Sequence, residues 1–179
     1  ASANSNTNVA MLGESFKYAA PVAGSLGYSV EDTAIALGLM ASSGLKSSMA
    51  GSSLRTILTN LAKPTDDISD AMDYLGISLQ NGDGSMKSLM DIVTDLRGAF
   101  GQCKMPMDQF QENLAKLDEK YANGELTEKK YNEALADLTE KAYGAEGALK
   151  AKYAATLAGK EGMSGLLSIV SAAPEDFDK

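Results

Sequence analysis

Apolar residues recur at helical spacing along nearly the whole chain and almost nowhere at the alternating spacing of strands. Val9, Leu12 and Phe16, extended by Ala19 and Ala20, predict a first helix that Asn6, Thr7 or Asn8 can cap. Pro21 and the joint Gly24-Ser25-Leu26-Gly27 interrupt it; Pro21 either kinks a helix that continues to Leu26 or begins a second short one. Ser29 starts the next helix, with Asp32 three residues on and Glu31 and Asp32 suited to the positive end of the dipole. From Thr33 to Met40 almost every side chain is small or apolar, so this helix is expected to be surrounded by others on every side, with Gly44 as its stop. Beyond Ser47 or Ser48 as cap, Leu54, Ile57, Leu58 and Leu61 mark one face, and Lys63-Pro64 ends the helix. Thr65 or Asp66 caps a fourth, with Ile68, Ala71, Met72 and Leu75 inward and Gly76 as its stop.

Ile77-Ser78-Leu79 alternates and leads into Asn81-Gly82-Asp83-Gly84, the one hairpin signal in the sequence and a short one. A fifth helix carries Leu89, Ile92, Val93, Leu96 and Phe100. The character then changes. Asp108 to Ala122 and Glu128 to Tyr143 are strongly charged, each with a narrow seam: Phe110, Leu114, Leu117 and Tyr121, then Tyr131, Leu135, Leu138 and Ala142. Gly124 after the first and Thr127 before the second make them an antiparallel αα-hairpin, expected to be an insertion that could project from the body. The earlier composition returns with Leu149, Tyr153 and Leu157, a stop at Gly159, and then Met163, Leu166, Leu167 and Val170. Pro174 sits at a helix-start position with Glu175 and Asp176 behind it. The fold expected is all-α: a compact multi-helix bundle with one short β-hairpin-like turn and an inserted antiparallel αα-hairpin. Its parts are a helical core over 1–105, the charged hairpin over 106–144, and C-terminal helices over 145–179 that rejoin the core. No fixed repeat period supports a solenoid.

Composition narrows the function classes. The chain has 179 residues, enough to bury roughly 70% of its unfolded surface without staples. Trp is absent and aromatics are only 6%, so Ala, Leu, Met and Gly must do the packing. A net charge of −8 with scattered lysines makes a poor binder of nucleic acid or anionic lipid. No histidine occurs and Cys103 is alone, which excludes His-dependent dyads and triads, Cys/His zinc sites and an internal disulfide. No apolar run approaches the roughly 18 residues of a membrane span. The chain begins ASANSNTN without an initiator Met and stops at PEDFDK, so it is expected to be a segment of a longer protein.

Each chemical motif has a plainer explanation. Asn81-Gly82-Asp83-Gly84 lacks the closing glutamate of a calcium loop: the twelfth position falls on Ile92 or Thr94. Gly44-Leu45-Lys46-Ser47 shares only fragments of a phosphate loop. Asp66, Asp67, Asp70 and Asp73 fall on the polar face of the fourth helix, where paired carboxylates would need burial to cleave a glycosidic bond. Cys103 has no base to activate it. Arg55 and Arg97 sit within apolar helices, where an internal ion pair such as Arg55 with Glu31 or Asp32 is expected. No catalytic, cofactor-binding or metal-binding residue is therefore assigned, and no cofactor.

Several strings together resemble the conserved core of the phage tail tape-measure protein family. They are Phe16-Lys17-Tyr18, Pro21 to Gly24, Leu26-Gly27-Tyr28-Ser29 with Glu31-Asp32, Gly44-Leu45-Lys46, and Ala50-Gly51 leading to Leu54-Arg55. The likeness continues through Leu58 to Pro64, Leu75-Gly76-Ile77 and Met86 to Arg97, and resumes from Ala155 to Leu166. Ser47 and Met49 depart from the Gly and Gln that members often carry, and the charged hairpin looks like a variable insertion. The resemblance implies a structural, non-enzymatic module that helps set tail length and template tube assembly. It implies a place in the virion tail, after synthesis in the bacterial host cytoplasm. The partners implied are the tail tube protein, tail assembly chaperones and tail tip or baseplate proteins, with self-association in the tail lumen, and neither nucleic acid nor membrane. Two alternatives belong to other classes: a helical interaction module for tail or host-envelope partners, and a peptidoglycan-cleaving domain.

Overall fold

The strongest helical spacings become helices in a computed structural model, which describes residues 9–171 apart from 43–44, 46, 102–103, 106 and 145–146. In chain order these are α1 (Val9–Ser25), α2 (Val30–Ser42), α3 (Ser47–Ala62), α4 (Asp66–Leu75), α5 (Leu89–Phe100), α6 (Met107–Ala122), α7 (Glu128–Tyr143) and α8 (Gly147–Ser171). Gly159 breaks α8 with a non-helical φ of 66° and ψ of 177°, so the described residues form nine helical segments in an all-α bundle. No strand forms among them. The hairpin signal survives as one antiparallel bridge between Gln80 and Met86, closed by Asn81 N–H to the Ser85 carbonyl at 2.8 Å.

Local chemistry sets the helix ends. The Ser29 hydroxyl accepts from the Asp32 N–H at 3.0 Å, and Ser88 with Asp91 forms a full capping box at the start of α5. Thr65 holds the cap position of α4, but its hydroxyl makes no cap bond. Pro21 does not begin a second helix: the first helix runs through it to Ser25, with the proline exposed. The proposed stop at Gly44, the caps at Asn6 to Asn8 and the helix start at Pro174 lie outside the described residues.

The bundle is built on α3, which crosses α1 on one side and the second arm of α8 on the other. Both crossings are close because small residues line them. A Cβ on Gly51 would stand 2.2 Å from the Ser15 carbonyl oxygen, and one on Gly165 would stand 2.4 Å from the Ser53 Cβ. The Ser15 hydroxyl donates across the first crossing to the Ser47 carbonyl at 2.7 Å. From the other end of α3, Asn60 donates to the Leu157 carbonyl at 2.9 Å, meeting a group near the break in α8. Leu54, Ile57, Leu58 and Leu61 are all buried, as their spacing predicts.

The innermost helix is not α2. Val30 is 76% exposed and Ile35 and Gly38 are half-buried, so α2, though packed against α1, α3, α5 and α8, is not enclosed on every side. Its neighbours are instead gathered around the second arm of α8, where every residue from 162 to 171 is buried. Ser168 there donates to the Ser164 carbonyl at 2.7 Å, and Thr139 on α7 donates to the Leu135 carbonyl at 2.7 Å. Each hydroxyl is satisfied within its own helix and so packs as a small residue.

The charged hairpin forms with the expected seam and the expected Thr127 cap, whose hydroxyl accepts from the Lys130 N–H at 3.4 Å. It does not stand off from the body: α7 lies along α8, and Phe110, Leu114, Tyr131 and Leu135 belong to the common core. Its root is aromatic. The Tyr143 ring meets Phe100 of α5 and Phe110 of α6 edge-on, with centroids 6.4 and 6.1 Å away, and the Lys150 ammonium lies 5.6 Å from its centre. Further along, Asp118 of α6 is half-buried and accepts from the Tyr131 hydroxyl of α7 at 2.6 Å. Burial pushes the Asp118 carboxyl above its ordinary 3.8, while hydrogen bonds from Tyr131 and Ser164 work against that rise. Burial, and then the charge on Asp118, push the Tyr131 phenol up as well.

Two stability outcomes follow. Gly51→Ala and Gly165→Ala each force backbone or packed side chains apart and should cost about 1–3 kcal/mol, typical of overpacking. Gly98→Ala in α5, where a Cβ meets nothing within 4 Å, should instead stabilise by up to about 1 kcal/mol. Urea midpoints of the three variants test this, and equal effects would refute the close crossings. The raised Asp118 pKa means that the protonated acid suits the fold. Its contribution is fully present below pH 3.8 and is lost as pH rises through the elevated folded value. Asp118→Asn keeps an acceptor for Tyr131 without the charge. Its stability relative to the parent chain should grow as pH rises through the carboxylate range and then stay level to pH 8. A difference that is flat from pH 3 to 8, in denaturation midpoints, would contradict the burial of this carboxyl.

Candidate functional site

Most of the polar motifs weighed in the sequence resolve into local structure. Asp83 accepts from the Ser85 N–H at 2.9 Å and from its hydroxyl at 2.6 Å, which holds its carboxyl below the usual range within an exposed turn. The Asn81-to-Gly84 segment is therefore occupied with its own hydrogen bonds. Arg55 is exposed and makes no ion pair with Glu31 or Asp32, contrary to expectation. Arg97 is half-buried on α5. Cys103, Gly44 and Lys46 lie outside the described residues. No group of three His, Cys, Asp or Glu positioned to hold a metal occurs among the described residues.

Two surfaces remain. The first is on α4, whose Ile68 and Ala71 are buried toward α5 and α8. Asp66, Asp67, Asp70 and Asp73 all stay exposed, and none makes an ion pair among the described residues. Positions 66, 70 and 73 form one narrow stripe along the helix. Beside it Tyr74 is 57% exposed yet fixed, because its ring stacks on Tyr153 of α8 with centroids 4.5 Å apart. The sequence places these carboxylates on a solvated face, and the structure agrees.

The second surface is an open groove of about 460 Å³ between α6 and α7. Its floor includes Met105, Leu117, Ala134 and Leu138, and its rim includes Lys116, Lys120 and Lys141 together with the carboxylate of Asp137. Lys116 pairs with Glu112 at 2.6 Å and Lys141 with Asp137 at 2.7 Å, all along exposed helix faces; Lys120 makes no ion pair among the described residues. Sequence reasoning missed this groove, since the lysines sit on two separate helices that each look merely solvated. The available signal was the hairpin register: once the Phe110-to-Tyr121 seam folds back on Tyr131 to Ala142, the flanking lysines face one trough. Neither surface brings a nucleophile, a base and an electrophile together. No helix among the described residues is long and apolar enough to cross a membrane.

The model of the phage-related minor tail protein family matches residues 1–117, which takes in α1 to α5 and part of α6. The tape measure protein of Pneumococcus phage Dp-1 is 32% identical over 179 residues, covering 100% of this chain and 12% of the relative. The probable tape measure protein of Escherichia phage P2 is 30% identical over 103 residues, covering 58% of this chain and 13% of the relative. The chain thus spans only about an eighth of the length of these curated relatives. No solved structure matches it. On the match across most of its helices, the chain belongs to the phage-related minor tail protein family and is a tape measure protein region.

Proposed function

We propose that this chain is a folded structural module of a phage or prophage tail tape measure, one that helps to set tail length and to template the tail tube. The observation that carries this reading is similarity to the Dp-1 tape measure protein over all 179 residues, the charged hairpin included. The physical character of the surfaces supports it. The apolar side chains are spent on close helix crossings, and the exposed faces of α4, α6 and α7 are charged. The partners that fit are other tail components: the tube protein, the assembly chaperones and the tip or baseplate proteins. The module reaches the virion tail after synthesis in the host cytoplasm. Within the chain, the proposed parts are a core (1–105), the hairpin (106–144) and returning helices (145–179).

The length role is tested in the encoding phage by an in-frame deletion of the whole segment. Tails seen by negative-stain microscopy should shorten, by at most about 270 Å, the helical length of 179 residues at 1.5 Å each. Tails of unchanged length would remove the segment from length setting. The non-catalytic reading has its own check. Zymography of the purified chain on peptidoglycan should show no clearing, and a cleared band abolished by Asp70→Asn or Asp73→Asn would establish the lytic alternative instead.

A further inference from the structure

The two exposed surfaces described above complement one another. The α4 stripe of Asp66, Asp70 and Asp73 runs over about 10 Å, at 1.5 Å per residue, with no cation anywhere on its helix. The groove between α6 and α7 offers Lys116 and Lys120 one turn apart on one wall and Lys141 beside Asp137 on the other, so its lining carries three cations against one carboxylate. Among the described residues no ion pair within one chain joins the two surfaces. The pairs that occupy Lys116 and Lys141 are exposed contacts within single helices, which yield readily to a better-placed carboxylate. Shape agrees with charge. Two antiparallel helices leave a trough for a third, and a helix whose leading stripe carries only short Asp side chains can approach it closely. Tyr74, exposed and held against Tyr153, stands beside the stripe and can cover the apolar floor of Leu117 and Leu138.

We propose that the acidic outer face of α4 in one copy of this chain docks into the Lys-rimmed groove between α6 and α7 of a second copy. Every copy presents both surfaces, so the contact is head-to-tail: it either closes into a ring or continues to further copies. The chain is acidic overall, at −8, so general repulsion between copies must be overcome by this one local match. Salt therefore acts on the contact directly. Raising salt shortens the screening distance from about 10 Å at 0.1 M to about 3 Å at 1 M and weakens the exposed pairs that hold the surfaces together.

Sedimentation equilibrium of the purified chain in low salt, from micromolar to near-millimolar concentration, tests the contact. The parent chain should associate beyond the monomer, and 1 M NaCl should weaken that association at least tenfold. Two isosteric variants remove one surface each: Asp66→Asn with Asp70→Asn and Asp73→Asn, and Lys116→Gln with Lys120→Gln and Lys141→Gln. Each alone should associate at least tenfold more weakly, with circular dichroism melting confirming that the fold is kept. Mixed, they retain one intact acidic face and one intact groove between them, so they should form a one-to-one dimer and nothing larger. A parent chain that remains monomeric overturns the proposal. So does association that both variants retain at parent strength, or a mixture that stays monomeric. If the monomeric parent instead binds poly-aspartate through Lys116, Lys120 and Lys141, the groove belongs to a different acidic partner. The contact is independent of the length role: a monomeric chain whose deletion still shortens tails sinks self-docking alone, and an associating chain whose deletion leaves tails unchanged sinks the length role alone.

Discussion

The close approach of α3 to its neighbours on two sides is the constraint on which the rest depends. A chain with no Trp and few aromatics cannot fill wide gaps between helices. It solves the problem by removing the gaps. Ser15 against Gly51 and Ser53 against Gly165 let backbones come together until dispersion between main-chain and short side-chain atoms replaces the packing that large rings would supply. Once α1, α3 and the second arm of α8 are fixed in this way, α2 packs against all three elements and against α5. The first arm of α8 then leads away at Gly159 toward α4, α5 and α7.

The same economy explains how polar residues sit in the centre. Ser15, Ser53, Thr139, Ser164, Ser168 and Ser171 are all buried. Ser168 and Thr139 turn their hydroxyls back onto carbonyls of their own helices, and Ser15 reaches one across a helix crossing. A hydroxyl satisfied in this way costs little and occupies little more space than alanine. Asp118 differs. It is a carboxyl held by hydroxyls rather than by a cation, and its burial ties the register of the hairpin to α8 through Tyr131 and Ser164.

What the sequence reveals follows from where the information sits. The faces of α3 and α5 are readable because Leu54, Ile57, Leu58 and Leu61, or Leu89, Ile92, Val93 and Leu96, repeat within one helix and all are buried. The hairpin is readable for the same reason, with Gly124 and Thr127 supplying the joint. The identity of the innermost helix is not. Composition favours α2, with its run of Ala, Ile, Leu and Met, over an arm in which Ser and Gly count as polar. The arm is buried because small residues permit contact, which is a property of pairs of helices and invisible along one. The groove escapes notice likewise: Lys116, Lys120 and Lys141 become a rim only when two helices are placed side by side.

The position of the hairpin has a consequence for how such a chain can change in length. Its root is held by Tyr143, Phe100, Phe110 and Lys150, while residues 121–125 and 127–130 at its tip are exposed. Whole turns added in matched pairs to the ends of α6 and α7 would extend the hairpin by about 5.4 Å per turn and leave the root untouched. The body is fixed by its close crossings, and the tip is an address where length can be gained or lost one turn at a time. A relative with a longer hairpin would carry a longer trough on an unaltered frame.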